Sequence, residues 1–210
     1  MTMYTFKNML AVTNRRLCKQ PFLTQIDWLA SCHPKGIILR EKDLTGEEYQ
    51  ALAEQVLDIC QRYKTTCILH TQTEAAKRLG CPNIHLPMWK LRMEAGMSGD
   101  GDFRQKTGRD LHADFEKIGA SVHSVREAEE AVRLGADYLT AGHIFLTDCK
   151  KGVPARGLEF LKEVCRSVSV PVYAIGGITE ENIPLVMEQG AAGYCVMSGV
   201  MKSFPESFMI

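Results

Sequence analysis

The chain of 210 residues falls within the range of one domain and is long enough to bury a large core. Its 25 lysines and arginines balance 25 aspartates and glutamates, so no global basic field draws it to nucleic acid or to a membrane surface, and a small anion would need only local cations. No apolar run approaches the length of a membrane span and the N-terminus lacks a signal-peptide pattern. The eight cysteines, at positions 18, 32, 60, 67, 81, 149, 165 and 195, form no C-x-x-C pair, and reduced thiols in a cytoplasmic protein are the expectation.

Short apolar runs alternate with helical patterns along nearly the whole length, at Met9 to Thr13, Gly36 to Leu39, Thr66 to His70, Asn83 to Leu86, Ile118 to Ser121, Tyr138 to Ala141, Val172 to Ile175 and Gly193 to Val196. Repeated βα units around a parallel sheet give that pattern. Eight strands at this length predict an α/β fold, a compact (β/α)8 TIM barrel forming a single domain over residues 1–210, with a doubly wound open sheet as the alternative.

Between the first two strands, Phe22, Ile26 and Leu29 make a short helical face, and His33 beside Pro34 reads as a turn residue. The second strand ends in Leu39-Arg40-Glu41-Lys42-Asp43. Arg40 and Lys42 alternate on an extended segment, which sends both toward the barrel mouth; the competing reading is a solvated charge cluster paired with Glu41 and Asp43. Thr45 with Glu48, and Thr71 with Glu74, read as helix caps. After the fourth strand a long connection runs from Pro87 to about Glu116, of the kind that is usually functional. His85, inside a strand, reads as a buried, hydrogen-bonded histidine, and His112 as a surface one.

The stretch from Ile118 to Gly152 reads as strand, helix, strand and loop, with Ser124 and Glu127 opening the helix as a capping box. His123 leaves the fifth strand, while His143, Thr147 and Lys150 follow the sixth. Loops at the carboxyl ends of parallel strands are where ligands bind. Near the C-terminus, Gly176-Gly177 follows the seventh strand and Ser198-Gly199 the eighth, the two loops that hold phosphate in many barrels. Pro184 places the start of the next helix near Glu181 or Asn182. The chain stops at Ile210, so the eighth helix is short, and the barrel side it leaves bare suggests burial against a partner as a homo-oligomer.

Gly36-Ile-Ile-Leu-Arg-Glu-Lys-Asp43, Ile118-Gly-Ala-Ser-Val-His-Ser124, Gly135-Ala-Asp-Tyr138, Ala174-Ile-Gly-Gly-Ile-Thr179 and Val196-Met-Ser-Gly199 together resemble the thiamin phosphate synthase and thiazole tautomerase superfamily of TIM barrels. The resemblance covers nearly the whole chain and is weakest from Pro87 to Glu116 and after Met201. It implies, for the synthase branch, Mg²⁺-assisted joining of a pyrimidine diphosphate to a thiazole phosphate, using an Asn-Asp pair after strand three and a further acid after strand four. Those places here read His70-Thr71 and Pro87-Met88-Trp89, with Asp43 or Asp148 as the substitutes at hand. The loop Gly142-His143-Ile-Phe-Leu-Thr-Asp-Cys-Lys-Lys-Gly152 is similar to the tautomerase branch instead.

That branch implies a proton shift that aromatises a carboxythiazole phosphate, with no metal and no cofactor. By resemblance His123 is the acid and base, a role suited to a side chain that titrates near neutrality, and His143 orients or assists it. Arg40 and Lys42 would hold the substrate carboxylate, Lys150 would offset anionic charge, and backbone N–H groups at Gly176, Gly177, Ser198 and Gly199 would hold the phosphate. The expected partner is thus a small phosphorylated thiazole, not nucleic acid or membrane. A synthase that recruits Mg²⁺ differently and a noncatalytic phosphate-ligand-binding regulatory protein are the alternatives.

Overall fold

The computed structural model describes residues 6–96, 110–147 and 152–204. Eight strands, β1 (Met9–Val12), β2 (Gly36–Leu39), β3 (Cys67–His70), β4 (Asn83–Pro87), β5 (Lys117–Val122), β6 (Tyr138–Gly142), β7 (Val172–Ile175) and β8 (Gly193–Val196), close into a barrel in chain order. Every neighbouring pair is parallel, including β1 with β8. The helices between them are α1 (Phe22–Ser31), α2 (Gly46–Tyr63), α3 (Thr73–Arg78), α4 (Met88–Glu94), α5 (Val125–Arg133), α6 (Gly157–Ser167), α7 (Ile183–Glu188) and α8 (Ser198–Lys202). The barrel is the fold that the eight evenly spaced apolar runs predict, and the open sheet is excluded by its closure.

Strand side chains alternate between two cores, as a period of two requires. One series, with Ala11, Leu39, Leu69, Leu86, Ala120, Ala141, Ala174 and Val196, packs outward against the helices. The other, with Leu10, Val12, Ile38, Ile68, Tyr138, Tyr173 and Cys195, fills the barrel interior. Because both faces are covered, the strands are apolar runs rather than alternating ones. At the end of the described chain, the buried amide of Gln25 on α1 donates to the carbonyls of Val200 and Ser203, at 2.7 Å each, and ties α8 down.

Two local expectations change. Thr71 does not cap a helix: it has φ +68°, and α3 begins after Gln72, which makes no side-chain cap. The connection after β4 also opens with a helix, α4, which buries Met88 and Leu91 and is tied by Lys90 to Glu94 at 2.7 Å and by Thr73 Oγ1 to Glu94 at 2.7 Å. Seven residues are too few for periodicity to reveal a helix whose stability comes from the burial of Met88 and Leu91 and the bond from Thr73. Residues 97–109 of that connection lie outside the described residues. Pro184 sits in the first turn of α7, as its missing N–H requires.

Candidate active site

The inward series of each strand runs up into the mouth. On β5, Gly119 faces His85 and Tyr138 and Ser121 bonds His85, so the next member of the series, two residues on, is His123. On β2 the series is Ile38 then Arg40, on β3 it is Ile68 then His70, and on β6 it is Tyr138, Thr140 and Gly142. His123, Arg40 and His70 therefore end up at one rim although they are far apart in sequence.

His123 is half-buried and held at both ends. Its backbone N–H donates to Glu127 Oε2 at 2.6 Å, and Ser124 Oγ accepts from the Glu127 N–H at 3.1 Å. The expected capping box is thus shifted by one: Glu127 reaches past the cap residue to the histidine before it. The imidazole Nδ1 lies 2.7 Å from the Gly142 carbonyl oxygen. A carbonyl only accepts, so Nδ1 carries the proton, and a neutral ring then presents a bare lone pair at Nε2. Nε2 has no hydrogen-bond partner among the described residues.

No hydrogen bond joins the His143 and His123 rings. His143 is buried, its Nε2 lies 3.2 Å from the Val153 carbonyl, and its Nδ1 is buried with no partner. The Arg156 N–H donates to the His143 carbonyl at 3.0 Å, and Arg156 Nε donates to the Gly142 carbonyl at 3.1 Å. His143 and Arg156 therefore brace the loop that carries the carbonyl facing His123. That loop lies on Gly176 and Gly177, whose φ values are +98° and +67°. A methyl group on Gly176 would collide with the His143 Cβ, and one on Gly177 would come within 2.5 Å of the Leu146 carbonyl oxygen. These glycines are needed for close backbone approach between the ends of β6 and β7.

Gly176 and Gly177 leave β7, and Ser198 and Gly199 open α8 directly after β8. All four are part-exposed and follow adjacent strands. Lys150, together with Asp148, Cys149 and Lys151, lies outside the described residues.

The charge cluster after β2 is paired differently from the sequence-based alternative. Glu41, buried, accepts from Thr13 Oγ1 at 2.6 Å and from the Arg15 N–H at 3.1 Å, and the Arg40 N–H donates to Thr13 Oγ1 at 2.9 Å. Asp43 takes a forked bond from Arg15, at 2.6 and 2.8 Å, and a contact from Arg16 at 2.7 Å. The Arg15 guanidinium holds the Asp43 carboxyl down at about 2. Both acids are thus engaged by the loop after β1, and Thr13 with Glu41 sets the backbone of Arg40. Arg40 is half-buried; Lys42 is exposed in the turn beyond the strand.

Below the rim, His85 is bonded through Nδ1 to Tyr138 Oη at 3.0 Å and through Nε2 to Ser121 Oγ at 2.8 Å, as expected of a buried strand histidine. Burial, then the charge of Arg40, pushes its pKa down to about 3. His70 is also lowered, by burial first and then by His85, Arg40 and Lys42. Both rings are neutral in the folded chain but take a proton near pH 6.5 when unfolded. Stability is therefore complete above pH 6.5 and falls as the pH drops below it, down to about 3 for His85. Urea unfolding between pH 7 and pH 4 is expected to show that loss, and His85→Gln is expected to reduce the slope by about one proton.

The donor set at the ends of β3 and β4 does not fit a hard divalent cation, which wants carboxylate oxygens. His70 and Thr71 offer a ring nitrogen and a hydroxyl, Pro87, Met88 and Trp89 offer no acid, and Asp43 is held by Arg15 and Arg16. Among the described residues no three His, Cys, Asp or Glu side chains gather as a metal site.

Sequence reasoning missed Arg15 and Arg156, whose partners are far away in the chain and leave no local signal. Ser121 and Thr140 were legible in principle, since they share the inward period of two with His123 and Gly142.

The family model described as thiamine monophosphate synthase matches residues 9–200. "Thiamine-phosphate synthase 2" of Streptococcus pneumoniae is 31% identical over 193 residues, spanning 91% of this chain and 86% of that protein. "Thiamine-phosphate synthase" of Clostridium acetobutylicum is 34% identical over 165 residues, 79% of this chain and 72% of the relative. Among solved structures, "Thiamine phosphate pyrophosphorylase" from Pyrococcus furiosus superposes with a TM-score of 0.75 at 28% identity, covering 94% of this chain and 88% of that one.

Proposed function

The chain belongs to the thiamine monophosphate synthase family, and from that premise we propose that it works on a phosphorylated thiazole and that its step is the proton shift aromatising a carboxythiazole phosphate. The observation that carries this reading is the His123 ring, with Nδ1–H on the Gly142 carbonyl at 2.7 Å and Nε2 without a partner among the described residues.

Such a ring takes a proton through Nε2. The ring carbon's C–H bond breaks, its electron pair moves into the heterocycle, and the exocyclic alkene carbon receives the proton back from Nε2. Atoms and charge balance, and the gain of aromaticity drives the shift. The transient imidazolium strengthens the Nδ1–H bond to Gly142, since an ionised donor makes the stronger hydrogen bond. His143 and Arg156 act on this step only by bracing the Gly142 carbonyl. The part-exposed amides after β7 and β8 are the candidates for the phosphate, with Arg40 and Lys42 across the mouth for the carboxylate; Lys150 is retained as a further cation for the anionic substrate.

A second reading, joining of a pyrimidine diphosphate to a thiazole phosphate, is favoured by the names of the relatives. Against it stands the lack of a carboxylate in His70-Thr71 and Pro87-Met88-Trp89, at the ends of β3 and β4. The two separate by phosphorus NMR: the transferase releases diphosphate from its two substrates in the presence of Mg²⁺, whereas the tautomerase releases none and converts the carboxythiazole phosphate alone.

A further inference from the structure

His70 occupies the rim of β3, beside Arg40 on β2 and, in the closed order of eight strands, across the mouth from β7. Its ring stacks on His85 with centroids 5.7 Å apart and 25° between planes. His85 has both its nitrogens engaged, so it takes nothing from the ring above it. His70 Nδ1 lies 2.7 Å from Thr71 Oγ1, the only hydrogen bond shown for that hydroxyl among the described residues.

Thr71 is a β-branched residue at φ +68°, a conformation such side chains rarely adopt. It is kept there by its N–H on the His85 carbonyl at 3.0 Å and by its carbonyl accepting from the Thr73 N–H at 3.0 Å. With that hydroxyl donating into Nδ1, the ring proton sits on Nε2. Nε2 has no partner among the described residues and is not one of the buried unpartnered atoms, so it is within reach of solvent.

We propose that Thr71 Oγ1 donates into Nδ1 and that His70, so placed, is the specificity-determining residue of the site, its Nε2–H meeting the carboxylate of the ligand while the phosphate is held on the opposite side, after β7 and β8. The inference rests on the reading of the substrate as a carboxylated heterocycle phosphate. The ring suits the task because it adds a directed donor to the diffuse charge of Arg40 and Lys42. A ligand without the carboxylate leaves that donor unpaired.

The test is calorimetric binding of two ligands, the carboxythiazole phosphate and the same thiazole phosphate lacking the carboxyl group, to the wild-type chain, His70→Phe and His70→Gln. Phenylalanine keeps the plane stacked on His85 and removes the donor; glutamine restores an N–H. His70→Phe is expected to weaken the carboxylated ligand by about tenfold or more, as loss of a hydrogen bond to a charged group does, and the other by less than about twofold. His70→Gln is expected to recover part of the loss. Equal loss for both ligands, or none for either, overturns the proposal. Binding without turnover overturns the isomerase reading alone, and a wild-type chain that binds neither ligand overturns both.

Discussion

His123→Ala is expected to fold as the wild type does and to lose about 10²- to 10⁴-fold in kcat for thiazole aromatisation, the usual worth of a positioned acid and base. The side chain is half-buried at a strand end, outside both apolar cores. Its backbone N–H bond to Glu127 survives truncation. Stability should therefore change little while the chemistry is lost. KM should rise far less than kcat falls, because the ring serves the reacting carbons and not the anions that bind the substrate. His123→Gln, which restores a side-chain N–H but no basic nitrogen, is expected to remain as slow as the alanine variant. Steady-state rates with a thermal melt on each variant check this; a folded His123→Ala protein with full turnover removes the histidine from the mechanism.

Gly176→Ala is expected to have the largest effect on stability and to lower the rate as well. At φ +98° an L side chain is strained, at a cost of about 1–3 kcal/mol, and its methyl would meet the His143 Cβ and lie 2.8 Å from the His143 Cα. Forced overpacking of that kind costs about 1–3 kcal/mol more. A fall in Tm of roughly 4–24 °C follows for a chain of this size. The loop that must yield carries the Gly142 carbonyl holding His123 Nδ1, so activity should fall at temperatures where the protein remains folded. Circular dichroism melts and assays at low temperature read the two effects separately. An unchanged melt would mean that the loop after β6 does not rest on β7 in this way.

The barrel was legible because its evidence is periodic: eight apolar runs, with helix signals between them, favour a closed barrel of parallel strands over the open sheet. The place of His123 at the rim was legible for the same reason, since it lies where a strand hands over to a capped helix. What sequence could not supply was pairing at a distance. Glu41 and Asp43 sit beside Arg40 and Lys42 in the chain but bind Arg15 and Arg16 in the fold, because the loops after β1 and β2 are neighbours at the rim. The Gly176-Gly177 turn reads as a phosphate loop in sequence. Its positive φ values and the clash a methyl would make show an added demand, the close seating of the loop from His143 to Leu146. His143 likewise reads as a partner of His123, whereas its ring faces the Val153 carbonyl and braces the loop instead.

The most direct trial of proton transfer at His123 is the rate at which a carboxythiazole phosphate becomes aromatic, followed by proton NMR with and without the wild-type chain and with no metal added. A rate well above the uncatalysed one, first order in protein and lost in His123→Ala, is the expected result. A rate that the protein leaves unchanged, together with Mg²⁺-dependent diphosphate release from a pyrimidine diphosphate and a thiazole phosphate, would contradict it and make the chain a transferase.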